Sequence, residues 1–178
     1  MTAPSPKFSD VVSAEIPDQT RESIDRKIYQ PSKKLIKVIR DYQALTSRSS
    51  SFIKLLSKLY ILKHRLYSVI CGADIPLNSQ IGLGILMPHP NGIVIHPKAR
   101  IGVNCLLFQQ VTIGAGPKPG FPEIGGHVDI GAGAKILGGI KIGDHVRIGA
   151  NAVVVDDVPS NSTAVGIPAK IIKQNLSR

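Results

Sequence analysis

Two hydrophobic rhythms divide the chain. From Arg21 to Ile70 the apolar positions follow helical spacing: Leu35, Val38, Ile39 and Tyr42 form one row, and Phe52, Leu55, Leu56, Leu59, Leu62, Leu66 and Val69 form another. Ser49–Ser51 separate the two rows, and Ser50 or Ser51 is placed to cap the second helix. After Cys71 the rhythm changes to six: Ile75, Ile81, Met87; then Ile95, Ile101, Leu107, Ile113; then Ile124, Ile130, Ile136, Ile142, Ile148 and Val154. A small or β-branched residue follows four positions later in most repeats, as at Ala99, Cys105, Val128, Ala134, Val146 and Ala152. A period of six fits neither a helix nor an alternating strand. It predicts a solenoid of short strands, each coil a triangle of three hexapeptides, with an aliphatic side chain of each hexapeptide stacked on its counterpart 18 residues away. Glycine after many of the inward residues, as at Gly82, Gly102, Gly131 and Gly149, is expected to relieve the corners.

Composition agrees with so narrow an interior. Aromatic residues are 4% and Trp is absent, whereas hydrophobic residues as a whole are 43% of 178. β-branched residues suit a thin pleated core that large rings would not fit. Two Cys rule out a disulfide scaffold; Cys105 reads as core, and Cys71 precedes the first coil. The start has no apolar core of a signal peptide, and no run of apolar residues is long enough to span a bilayer, so the expected location is the cytoplasm.

Charge is uneven. Residues 1–20 carry one Lys against three acidic residues and read as a mobile tail. Residues 21–70 carry twelve Lys and Arg against three acidic residues, a basic helical arm; residues 71–178 carry nine against six. The +10 net charge therefore belongs mainly to the arm. No zinc-finger spacing or RNA-binding aromatic signature accompanies it, so it does not point to nucleic acid. The second helical row is expected to pack on its own domain. The other option is a basic surface that attracts anionic ligands or an acidic lipid face, hence a peripheral membrane contact through residues 21–70.

The six-residue period breaks twice, at Pro88-His89-Pro90-Asn91 and at the loop Ala115–Glu123. Loops on rigid scaffolds are where sites are usually built. His89, at one break, could serve as general base. Backbone N–H groups around Gly114 and Gly116, where the loop leaves the coil, could hold an oxyanion. Ala132 and Ala150, 18 residues apart, should lie one above the other and leave a groove. His127 and His145, also 18 apart, should be stacked neighbours, with an exposed ladder preferred to a metal site.

These residues carry a resemblance. Asp74-Ile75-Pro76, Ile81-Gly82, His89 with Gly92-Ile93-Val94, Gln109 to Gly114, Ile130 to Lys135 and Gly166-Ile167-Pro168-Ala169-Lys170 are similar to the hexapeptide-repeat acyltransferases, within them the serine acetyltransferase-like group. The resemblance covers about 100 residues, and the spacing from Asp74 to His89 is its most specific part. It implies a mainly β fold, a left-handed parallel β-helix (71–160) with a short N-terminal helical extension (21–70) and a C-terminal tail (161–178). It implies a homotrimer with acetyl-CoA between protomers and no metal, and leaves open a higher oligomer through the helical arm. By the same resemblance His89 is the base and Asp74 orients it; Gly114, Gly116, Ala132, Ala150, Lys170 and Lys173 line the cofactor; and Asn91, Gln109 and Phe121 are acceptor-binding positions.

Two departures bear on the acceptor. Serine acetyltransferases usually have an acidic residue just before the base and an Arg-His pair before the Pro of the long loop. Here those positions are Pro88 and Gly120-Phe121. The expected activity is serine O-acetylation, the first step toward cysteine. The alternative within the class is a saccharide O-acetyltransferase of surface-polysaccharide synthesis, whose uncharged acceptor needs no ion partner. The alternative from another class is a non-catalytic solenoid that only assembles with partners.

Overall fold

The computed structural model describes residues 12–25, 29–46 and 51–173. Two helices, α1 (Pro31–Thr46) and α2 (Ser51–Cys71), precede a three-faced parallel β-helix. The first face stacks β1 (Gln80–Ile81), β3 (Arg100–Ile101), β6 (Glu123–Ile124) and β9 (Lys141–Ile142). The second stacks β4 (Leu106–Leu107), β7 (Asp129–Ile130), β10 (Arg147–Ile148), β12 (Ser162–Gly166) and β13 (Ala169–Lys173). The third stacks β2 (Val94–Ile95), β5 (Thr112–Gly114), β8 (Lys135–Leu137) and β11 (Val153–Val154). All pairs are parallel except β12 with β13.

Register explains how the two breaks are absorbed. Where no insert intervenes, partners are 18 residues apart, as Val94 with Thr112 and Glu123 with Lys141, until the last rung, where Arg147 meets Thr163 after 16. The step widens from Gln80 to Arg100 and again from Arg100 to Glu123, because each insert is extruded at a corner. The inward positions keep their stacking throughout: Ile75, Ile95, Leu107, Ile113, Ile130 and Ile136 are almost wholly buried. Cys105 joins them, its thiol pushed up to about 11 by burial.

The glycines do something other than relieve corners by conformational freedom. A Cβ on Gly82 would stand 2.5 Å from the Gly102 carbonyl carbon, and one on Gly102 would stand 2.4 Å from the Gly125 oxygen. They are small because successive coils touch there. The left-handed backbone turns fall elsewhere, on Asn104, His127, His145 and Asn161 at one corner and on Gly92, Gln110, Gly133 and Asn151 at another.

Helix α1 closes the lower end of the solenoid. Leu35, Ile36 and Ile39 share the core with Cys71, Ala73, Ile75 and Ile81. Arg40 donates to the carbonyls of Ile81 and Gly82, and Gln43 to those of Leu77 and Ser79. The antiparallel β13 closes the upper end of the second face.

The expected C-terminal tail 161–178 is instead part of the solenoid over β12 and β13, with Ser162 and Ala164 buried, because Thr163 and Ala164 continue the ladder of β10; residues 174–178 lie outside the described ones. Two expectations at the other end are corrected as well. The supposed tail 1–20 is not free over residues 12–20; residues 1–11 lie outside the described ones. Asn104, fully buried, donates through Nδ2 to the carbonyls of Ser13 and Ile16 and accepts from Asp18 N–H, at 2.7, 2.8 and 2.8 Å. Glu22 accepts from Gly84 and Ile85 N–H and pairs with Arg40. These polar anchors outweigh the low hydrophobicity that suggested mobility. The second correction concerns α2. Its half-buried side is Ile53, Tyr60, Ile61, His64, Tyr67 and Ser68, with His64 Nε2 2.8 Å from the Ile75 oxygen. Of the row expected to pack on the domain, Leu55, Leu59, Leu62, Leu66 and Val69 are exposed instead and Leu56 is half-buried; the Phe52 side chain lies outside the described ones. Helix α2 is apolar on both sides, and only one side has a partner within the described residues. Ser50 lies outside the described residues; α2 begins at Ser51.

Candidate active site

His89 stands on the turn between the second and third faces, flanked by Pro88 and Pro90, whose rings restrict the backbone on both sides. Its side chain is exposed. Asp74 lies on the same corner one coil below. Its N–H donates to Ile93 O at 2.8 Å and its carbonyl accepts from Ile95 N–H at 2.9 Å, so it bridges Val94 at the start of the third face. Because Ala73 and Ile75 on either side are buried, the Asp74 carboxylate projects outward. Gly72, at φ +59°, carries this corner, and a Cβ there would meet Asn91 Nδ2 at 2.7 Å.

Asn91 and Gln109 belong to the same corner. Gln110 N–H donates to Asn91 O and Gly133 N–H to Gln109 O, both at 2.8 Å, so the turns stack coil on coil. The Gln109 Oε1 is buried without a hydrogen-bond partner among the described residues. Higher on this corner, Asn151 N–H donates to Ala132 O, which sets Ala132 beneath Ala150. A groove beside His89 is lined by Leu86, Pro88 and Pro90 from the solenoid and by Tyr29, Gln30 and Lys33 from the arm. Tyr29 and Lys33 had no sequence signal, because nothing in the helical rhythm says that the start of α1 reaches this turn.

Gly114, Gly116 and Phe121 occupy the next corner, across the third face from His89. The loop between them is pinned rather than loose: Gly139 N–H donates to Lys118 O, and Lys118 Nζ pairs with Asp156 at 2.7 Å. Phe121 stacks on His96, a contact with no signal in the sequence because His96 follows β2 without a motif. One protomer thus holds His89 and Asp74 at one corner and the loop at another. Lys170 is exposed on β13; the Lys173 side chain lies outside the described ones.

His127 and His145 are neighbours as expected but half-buried rather than exposed, with Nδ1 atoms 2.8 Å apart and rings edge to face. Both hold left-handed turn positions, at φ +51° and +57°. His127 is held below its ordinary value first by burial, against the opposing pull of Asp129 and with help from His145, Arg21 and Arg147. Among the described residues no cluster of three or more His, Cys, Asp or Glu is placed to hold a metal ion, and no helix is long and apolar enough to cross a membrane.

Comparison with known proteins follows this geometry. Residues 121–156 match the family model "Bacterial transferase hexapeptide (six repeats)". A serine acetyltransferase of Staphylococcus xylosus is 40% identical over 127 residues, 68% of this chain and 59% of the relative. One from Synechococcus elongatus is 44% identical over 115 residues, 63% of this chain and 47% of the relative. Among solved structures, soybean serine acetyltransferase complexed with serine is 36% identical with TM-score 0.68, covering 80% of this chain and 57% of that one. A serine acetyltransferase complexed with CoA is 34% identical with the same TM-score of 0.68, covering 82% and 58%. The chain therefore spans about half the length of the curated relatives it matches. The likeness makes the solenoid a left-handed parallel β-helix. On the solenoid, its repeat and these relatives, the chain is similar to the hexapeptide-repeat transferases and, within them, to serine acetyltransferases.

Proposed function

We propose that the chain is an acetyl-CoA-dependent O-acetyltransferase, with L-serine as acceptor. The observation that carries this reading is that His89 and Asp74 are both exposed beside the same corner, Asp74 bridging Val94 just after the His89 turn, on a solenoid 40% identical to a serine acetyltransferase. A hydroxyl at neutral pH is a poor nucleophile until a base removes its proton during attack. In this reading a neutral His89 ring nitrogen takes that proton as the acceptor oxygen bonds to the thioester carbonyl carbon. The tetrahedral intermediate collapses, the C–S bond breaks, and the imidazolium returns the proton to the departing CoA sulfur. Asp74 steadies the ring and the charge it gains. Ala132 and Ala150 leave room for the pantetheine arm, and Lys170 and Lys173 would meet the CoA phosphates. Asn91 and Gln109 would orient the acceptor.

Since the loop carrying Gly114, Gly116 and Phe121 stands at a different corner from His89, a complete site needs a neighbouring copy to bring its loop across. We propose a homotrimer as the assembly that supplies it, and a cytoplasmic location. A second acceptor reading, a saccharide hydroxyl, is favoured by the groove beside the His89 turn, whose walls are mainly Tyr29, Leu86, Met87, Pro88 and Pro90, with Gln30 and Lys33 at the arm. Rings and aliphatic surface suit the C–H face of a sugar better than the charged ends of serine. Thiol release from acetyl-CoA, measured against serine, homoserine and a panel of sugars, tests both readings. Release with serine selects the first and release with a sugar the second. No release with any acceptor overturns acetyl transfer.

A further inference from the structure

The exposed row on α2 is Leu55, Leu59, Leu62, Leu66 and Val69, spaced alternately by four and three, with Leu55 67%, Leu62 64% and Val69 81% exposed. Ile70 extends it. Such spacing keeps five large side chains on one straight face of the helix. Lys58 and Arg65, seven residues apart, line one flank and Lys63 the other, and α2 contains no acidic residue. Across the groove from Leu66 and Lys63, α1 adds Lys34 and Lys37, and its one carboxylate there, Asp41, is paired with Lys37 at 3.0 Å.

A second copy of the same face is a poor occupant. Laid against itself, the row would bring Lys58, Lys63 and Arg65 of both copies together without a single counter-charge. An anionic lipid surface satisfies both features at once, because leucines enter the acyl boundary while the flanking cations stay at the headgroups. We propose that α2 lies flat on an anionic bilayer and docks the protein there. Helix α2 ends at Cys71, and Asp74 follows three residues later. A docked helix therefore holds the His89 corner close to the headgroups, where a membrane-borne acceptor would be presented.

The test is co-sedimentation of the full chain with vesicles of phosphatidylcholine alone or mixed with phosphatidylglycerol. Binding to the mixed vesicles only, reversed by salt, is expected. Lys58→Gln/Lys63→Gln/Arg65→Gln should lower partitioning about a hundredfold, from roughly fivefold per cation. Leu59→Glu/Leu62→Glu should abolish it while circular dichroism and sedimentation velocity stay as in the parent. No binding to mixed vesicles, or equal binding to both kinds, overturns the proposal. So does a Leu59→Glu/Leu62→Glu variant that falls to a smaller oligomer, since the face would then belong to a second copy. None of these readouts involves acetyl transfer, so this docking and the proposed reaction stand or fall separately.

Discussion

The Phe121 ring lies flat on the imidazole of His96, centroids 3.9 Å apart and planes 11° from parallel. Lys98 secures the pair twice: its N–H donates to His96 Nδ1 at 3.1 Å, and its ammonium stands 5.5 Å from the Phe121 centroid. His96 is thereby fixed with its proton on Nε2. The stack clamps the end of the long loop to the solenoid. Phe121→Ala should raise the acceptor KM about tenfold through loss of the stack, while the acetyl-CoA KM stays near the parent value. Steady-state kinetics with each substrate varied in turn would check this.

His89→Ala should lower kcat by about two to four orders of magnitude, the usual contribution of a positioned base. The solenoid should persist, because the His89 side chain is exposed and supports no packing. Turnover near the parent level, with circular dichroism unchanged, would count against His89 as the base.

Acid should weaken the fold through His127. Its folded-state value is lowered, chiefly by burial, so below the ordinary value near 6.5 the unfolded chain takes up a proton that the folded one resists. Stability from this group is intact above pH 6.5 and declines as pH falls toward the folded value. His127→Asn keeps a side chain tolerant of the left-handed turn and removes the titration. Thermal melts across this range should show a smaller acid decline in the variant than in the parent.

Asn104→Ala should cost about 2–4 kcal/mol, from three lost hydrogen bonds and an alanine forced to positive φ. Residues 12–25 would also lose their central anchor. Urea denaturation gives the first quantity, and faster proteolysis within this segment would report the second.

The solenoid was legible because its core is periodic: every inward position named from the six-residue rhythm, from Ile75 to Val154, is in or beside the shared core. Its interruptions were equally visible, and both stand at corners as loops. What the rhythm does not encode is contact between distant segments with no repeat. Asn104 gripping Ser13, Ile16 and Asp18 is one such case, and the approach of Tyr29 and Lys33 to the His89 turn is another. The side of α2 that faces the domain was misread for a related reason. Helical spacing identifies an apolar stripe, but this helix has two, and choosing between them requires knowing where the solenoid lies.

The two closed ends of the solenoid also decide its length. A parallel ladder has no internal reason to stop, since its last rung presents the same donors and acceptors that the previous rung did. Left bare, such a rung is a template on which further chains can add. Here α1 occupies the first coil with its own side chains and Arg40 and Gln43, and β13 turns back across the last rung of the second face with reversed polarity. The helical arm and the terminal hairpin thus act as terminators, making a molecule of counted coils from a repeat that could otherwise grow into a fibre.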